Sequence, residues 1–545
     1  MKQSEALLYA RTLRTLRPAQ LLGRARRALP SAAPKVRPAP PVREAAPLPP
    51  PAARNASLVG PTTIEHLGER GDVASPGDWT NEAQPLLWLY HLHYFDDLRA
   101  SGSEQRSAWN DALLDRWIAE HPPGAAPGWD PYPTSIRIVN WVRWARAHGL
   151  PAGALASLAT QARHLRKNLE FHLLGNHLLA NAKALVFAGA CFTGREAAEW
   201  TSKGLALLER ELAEQVLADG GHFERSPMYH STILEDLLDL LALVRWTPDA
   251  FDDPEGLGER LARVAGGMLD WLVRMSHPDG GIALFNDAAL GHAPSPSALV
   301  EYAVRLGVRP PSPLQPGVTH LDASGYVRVE RGRCVAFLDV GEIGPSYLAG
   351  HAHADTLSFE CSVDGNRLAV NGGTSLYAPG PERQRQRGTA AHSTVEVDGA
   401  DSSEVWASFR VARRARPIDL RIDDGLARIE VRCAHDGYRR LPGDVVHTRT
   451  WRLDERTLGV LDVVDGAFTS AVGRIHLHPH VRAEADGQAV ALHRTGAPAT
   501  RIDAVKGSLE LGDGVWAPRF GATLPNQHVR CVPDEGGRSR VQIAW

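Results

Sequence analysis

From Pro85 to about Leu306, apolar residues recur three and four positions apart, and Gly or Pro punctuates the runs. That spacing places them on one face of an α-helix. It predicts helices over residues 86–98, 107–118, 135–148, 155–174, 177–190, 197–217, 228–244 and 257–275. Segments of such similar length predict stacked helix pairs, as a solenoid or a closed α/α toroid. Periodicity does not separate the two. After a Pro-rich joint at 310–316 the rhythm changes to short β-branched runs at 334–340, 356–363, 393–397, 427–431, 445–451 and 458–464, parted by Gly, Asp or Asn. Many short strands at close spacing predict stacked antiparallel sheets, a β-sandwich. The fold class is α+β multidomain, helical first and all-β second.

Residues 31–56 are dense in Pro and Ala, a composition that blocks helix and sheet and predicts an extended linker. Before it, Arg11, Arg14, Arg17, Arg24, Arg26 and Arg27 interrupt Leu and Ala residues, leaving no continuous apolar stretch of the kind a secretory signal has. A cytoplasmic location is the expectation. The basic segment reads either as a helix packed on the main body or as one resting on an anionic membrane surface. No apolar run reaches membrane-spanning length. The division expected is 1–56 for the basic helix and linker, 57–315 for the helical domain and 316–545 for the β domain.

A composition of 43% hydrophobic and 23% charged residues with net charge −3 is that of a globular protein, and gives no basic excess for nucleic acid. An anionic ligand therefore needs a local positive site. Cys191, Cys334, Cys361, Cys433 and Cys531 lack paired spacing, which predicts buried thiols rather than a disulfide framework or a zinc cluster.

The chemistry concentrates in a few blocks. In Gly350-His351-Ala352-His353-Ala354-Asp355, alternate residues of an extended strand share a face, so two imidazoles and a carboxylate are expected together. The arrangement suits a metal or acid/base work, and equally a solvated strand edge. His392 and the Asn371-Gly372-Gly373-Thr374 turn follow it. In the helical half, Arg137, Asn140 and Trp141 share a helix face, as a sugar-binding cluster or as a buried aromatic cluster. Asn176 and His177 open an apolar helix, where the positive dipole end suits an anion and discourages protonation of the ring. Glu224, Arg225 and Tyr229 follow a glycine turn, and Tyr229 beside cations is expected to have a lowered pKa. His91 and His93, i and i+2 on a helix, do not face one way and are rejected as a metal site, while remaining candidates for a sugar cleft.

In that order, Gly175-Asn176-His177, Glu224-Arg225-Ser226 with Tyr229-His230, His351-x-His353-x-Asp355 and His392-Ser393-Thr394 resemble the heparinase II/III family of polysaccharide lyases. The resemblance implies an α/α toroid followed by an antiparallel β-sandwich, an anionic polysaccharide in the cleft between them, and cleavage of uronic-acid glycosides by β-elimination. It implies Asn176 and His177 against the uronate carboxylate, aided by Arg225 or Arg137, with Tyr229 as acid and His351 as second catalytic histidine. It also implies zinc on His353 and His392, with Asn371 standing where a carboxylate ligand is expected, and it leaves a periplasmic location open. A glycoside hydrolase using Glu224 and another carboxylate, and a non-catalytic glycan-binding protein, are the alternatives.

Overall fold

A computed structural model of the chain describes residues 3–29, 32–151, 153–496 and 498–545. The helical half is built of hairpins in which one helix is buried all round and its partner is buried on one face. Gly175–Cys191 and Pro227–Trp246 are almost wholly buried, whereas Arg195–Gln215 and Pro254–Arg274, which follow them, carry a single apolar stripe under a charged surface. Sequence accounts for this, because a helix apolar on every side is stable only inside. Inner and outer helices so arranged are the α/α toroid. Pro131–His148 and Ala154–Lys167 repeat the hairpin.

Helix ends differ from expectation where backbone chemistry overrides periodicity. Pro131 at the first helical turn starts its helix four residues earlier than the apolar pattern, a position where proline's missing N–H costs nothing. The run expected to reach 174 stops at Lys167, since Asn168 Nδ2 donates to the His164 carbonyl at 2.9 Å and caps it. The freed residues 168–174 form a loop that ends in Leu174 at φ 68° and proves to carry part of the site.

The β half holds antiparallel sheets of eight, five and four strands. In the five-stranded sheet Cys334–Asp339 pairs with Phe359–Val363, register Ala336 opposite Cys361, and both faces are buried. Val329, Ala336 and Cys361 pack against Val431, Trp451 and Val541 of the eight-stranded sheet, which closes the sandwich. The strand expected over 356–363 begins only at Phe359, because Leu357 adopts φ 62° and Ser358 N–H turns back to the Asp355 carbonyl at 2.8 Å. His351, His353 and Asp355 thus lie on a loop. The five cysteines are buried and unpaired. Among the described residues no helix is long and apolar enough to cross a membrane.

The halves meet through an apolar seam of Trp271, Met275 and Phe285 with Leu321, Tyr326 and Phe337, and Trp271 Nε1–H donates to Ser324 Oγ at 2.9 Å. From residue 32 on, the Pro- and Ala-rich segment forms neither helix nor sheet strand, and it is packed onto the helices. Arg143, Arg163 and Arg305 donate to its carbonyls, and Ala52 is fully buried.

Candidate active site

The Gly175–Cys191 helix starts on Gly175 at φ 58°, a left-handed residue where a Cβ would collide with Leu348 of the β half. That close approach sets Asn176 and His177 against the seam. Asn176 donates its backbone N–H (3.2 Å) and its Nδ2 (2.9 Å) to Glu224 Oε1. His177 Nδ1 meets Glu170 Oε1 at 3.1 Å, and Asn181 Nδ2 holds the other oxygen of Glu170 at 3.0 Å. Tyr132 lies 4.5 Å from the His177 ring, centroid to centroid. The helix dipole alone predicts a neutral His177. Burial also opposes its charge, but the attraction and hydrogen bond of Glu170, with Glu224 behind it, outweigh burial and raise its pKa.

From the other side the 350–358 loop delivers His351, whose ring lies 4.0 Å from that of Tyr229. His351 Nδ1 is bonded to Asp287 Oδ2 at 2.9 Å, so its proton resides on Nδ1 and Nε2 carries the lone pair. That Nε2 is 3.6 Å from Glu224 Oε2, the oxygen Asn176 leaves free. Tyr229 hydroxyl meets Tyr377 hydroxyl at 3.0 Å. The expected lowering of its pKa is reversed: burial, then Tyr377 and Asp287, push it well above the ordinary tyrosine value. Among the described residues no guanidinium or ammonium group is bonded to or stacked on the phenol, and it stays protonated. Glu224 thus joins Asn176 to His351, whose ring lies against Tyr229, and His177 follows Asn176 on the same helix start.

Asp287 organises this centre and carries no signal in the sequence. It is fully buried, accepts from His351, from His353 Nε2 at 2.8 Å and from both Arg383 terminal nitrogens, and its pKa is held well below the carboxylate range by Arg383 and the two histidines against burial. Asp355 accepts the N–H of Asn286 at 3.2 Å beside it, and burial raises its pKa to about 7. It supports the 286–287 turn and does not reach the cleft.

Three of the expected substrate contacts are placed elsewhere. Arg137 is fully buried, with its donors on Gln161 Oε1 (2.9 Å) and the carbonyls of His93 and Gly128 (3.0 and 2.8 Å) and its plane over Trp117. Its guanidinium holds loops together. Trp141 is core, edge-on to Trp117 and Phe95. Arg225 donates to the Glu342 carbonyl and lines a cavity of about 360 Å³ with Gly325, Val340 and Pro417, a lining that includes none of the four convergent residues. Asn140 lines a cavity of about 60 Å³ that continues from Tyr132 past Lys183 and Asp236, and His91 joins it there, while His93 is buried against the Trp79 carbonyl.

The implied zinc ligands offer unequal donor atoms. His353 and His392 rings lie 5.2 Å apart, and His353 Nδ1 and both His392 ring nitrogens lack a hydrogen-bond partner in good geometry. That much suits a cation. Asn371, however, is neutral, its Oδ1 accepts from Ser393 N–H at 3.2 Å and its Nδ2 donates to Ser358 Oγ. Among the described residues no three His, Cys, Asp or Glu side chains are placed to share an ion. Two imidazoles and an engaged amide do not complete a zinc site. No chemical step is assigned to a metal.

A toroid joined to a β-sandwich, with a histidine, tyrosine and asparagine centre at the join, defines the class. The chain belongs to the heparinase II/III family: the model for the heparinase II/III N-terminus matches residues 152–304, and that for the heparinase II/III-like C-terminal region matches 313–545. Among characterised relatives, FtsZ-localized protein C of Caulobacter vibrioides is 27% identical over 464 residues, covering 78% of this chain and 74% of that protein. A heparin-sulfate lyase of Bacteroides stercoris is 26% identical over 372 residues, 59% of this chain and 55% of the relative. The alignment thus spans little more than half of that lyase. In fold, the chain matches the crystal structure of heparinase III with TM-score 0.67 at 17% identity, over 88% of this chain and 79% of that one. A heparan sulfate lyase from Pedobacter heparinus gives 0.55 at 18%, over 89% and 81%.

Proposed function

We propose that this protein is a polysaccharide lyase that cleaves a uronic-acid glycan by β-elimination. The observation that carries the proposal is the convergence across the seam of Asn176 and His177 from the toroid with His351 from the sandwich, on either side of a protonated Tyr229. Elimination requires the uronate carboxylate to be neutralised, so that the proton at C5 becomes removable. His177, whose protonation Glu170 favours, and the second amide hydrogen of Asn176 supply that neutralisation. His351 Nε2 takes the C5 proton. The C5–H electrons form the C4–C5 double bond, the C4–O4 bond breaks, and the Tyr229 hydroxyl gives its proton to the departing oxygen. Asp287 keeps Nε2 of His351 basic by holding the other ring proton.

Hydrolysis fits the carboxylates less well. Glu170 is tied to His177 and Asn181, and Asp287 is locked by Arg383, so neither is free to activate water. Glycan binding without turnover is the second reading, and the relative aligned over 464 residues is named FtsZ-localized protein C. Incubation with a panel of uronic-acid polysaccharides, followed by ultraviolet absorbance, separates the readings. Growth of unsaturated product supports the lyase; a folded protein silent across the panel contradicts it.

A further inference from the structure

Helices Gln3–Leu13 and Pro18–Arg27 form an arm that touches both halves. On the β half, Arg11 pairs with Glu404 at 3.0 Å and Trp406 Nε1–H donates to Thr12 Oγ1 at 3.1 Å. On the helical half Arg17 pairs with Glu214, and a Cβ at Gly23 would lie 2.7 Å from the His172 backbone nitrogen. Between them Gln20, 1% exposed, reaches the carbonyls of Leu173 and Tyr347, one from each half, at 3.4 Å. The arm therefore lies over the junction of the 168–174 loop with residues 345–350, which are the two loops that hold Glu170 and lead into His351.

The charges it brings there are only partly compensated. Arg27 donates to His172 Nε2 at 2.8 Å and stays 3.7 Å from Asp130. Burial and then Arg27 lower the pKa of His172 to about 4, so that ring is neutral and the half-buried Asp130 is the acid that faces Arg27. Arg24 has no carboxylate partner among the described residues, and its pKa is lowered by burial and by the charge of Arg410 facing it. Arg410 in turn is held flat, 4.8 Å from the ring centroids of both Tyr9 and Trp406, with Nη1 on the Tyr9 hydroxyl. Its chain neighbour Phe409 stands edge-on to His351 at 5.8 Å. Three guanidiniums with one carboxylate, Asp130, paired to them among the described residues leave a local positive field that an anion would neutralise, in a chain of net charge −3.

We propose that Arg24 and Arg27 of the arm, with Arg410 opposite, form an anion-recognising subsite of the cleft for a carboxylate or sulfate on a sugar flanking the one held by Asn176 and His177. The identity of the ligand rests on the glycan reading above. The test is calorimetric titration of the full chain carrying Tyr229→Phe, so that nothing is consumed, with hyaluronan and heparan sulfate oligosaccharides as probes. Arg24→Gln with Arg27→Gln is expected to weaken binding about tenfold or more, and Arg24→Lys with Arg27→Lys to restore most of it. Loss with both probes identifies the carboxylate, and loss with heparan sulfate alone identifies the sulfate. Unchanged affinity for both probes, or no binding of either by the parent protein, overturns the subsite. The outcomes separate from those of the lyase reading. Weakened binding in a protein that yields no unsaturated product keeps the subsite and removes the lyase, whereas an active lyase whose KM the glutamine pair leaves unmoved does the reverse. Circular dichroism confirms that these surface changes preserve the fold.

Discussion

The cleft face and the buried face of the 350–358 loop each present one imidazole, both bonded to Asp287, and they differ in what the second ring nitrogen meets. His351, with 13% of its side chain exposed, sets Nε2 3.6 Å from Glu224 and its ring 4.0 Å from that of Tyr229. His353 is sealed from solvent, its Nδ1 has no hydrogen-bond partner, and its ring lies 5.2 Å from that of His392. One carboxylate thus fixes the tautomer of a reactive histidine and anchors a structural one. Two histidines two residues apart in sequence acquire different chemistry from burial alone.

The largest effect expected from breaking this asymmetry is at the cleft. Tyr229→Phe removes the proton donor and is expected to lower kcat roughly 100- to 10,000-fold with an unchanged melting temperature; a variant that retains activity removes Tyr229 from the chemistry. Asp287→Asn strikes both faces together. It leaves the buried Arg383 without its counter-charge, and a loss of about 3 to 5 kcal/mol in chemical denaturation is expected, with stability equal to the parent contradicting the anchoring role. Glu170→Gln acts on one side only. The raised pKa of His177 means that the Glu170 interaction contributes stability in full below the ordinary histidine value of about 6.5 and loses it as pH rises through the folded value. KM for an anionic polymer is expected to climb over that same rise in the parent, and at lower pH in Glu170→Gln; superimposed pH profiles contradict the assignment. The smallest effect is expected at the buried face, where chelation leaves activity and melting temperature unchanged. Asn371→Asp supplies the missing anionic ligand and is expected to take up zinc, measured by atomic emission; stoichiometric zinc in the parent contradicts the account of the donor set.

Much of the fold was legible because burial leaves a period in the sequence. The inner helices Gly175–Cys191 and Pro227–Trp246 are apolar enough to announce themselves, and the strands from 334 to 464 alternate between turn residues. Strands such as Ser508–Arg519 were not legible, since one face is exposed and Gly and Asp interrupt it. Of the site, Asn176, His177, Tyr229 and His351 stood out because turns deliver polar side chains beside apolar elements. Asp287 did not, as it lies in an aperiodic loop. Arg383 sits in Pro381–Arg387, a run that reads as a solvated charged surface yet buries three of its seven residues. Arg137 misled for the opposite reason: a guanidinium satisfied by backbone carbonyls has the same letter as one that awaits a substrate. The local helix rule misplaced the charge of His177 because Glu170 arrives from a loop that the period had assigned to helix.

The product decides the central claim. Mass spectrometry of the fragments released from a uronic-acid polysaccharide that the protein degrades is predicted to show a non-reducing end one water lighter than the hydrolysis product, with all of it lost in Tyr229→Phe. Fragments carrying the added water, or intact polymer bound and unreleased, contradict elimination at this site.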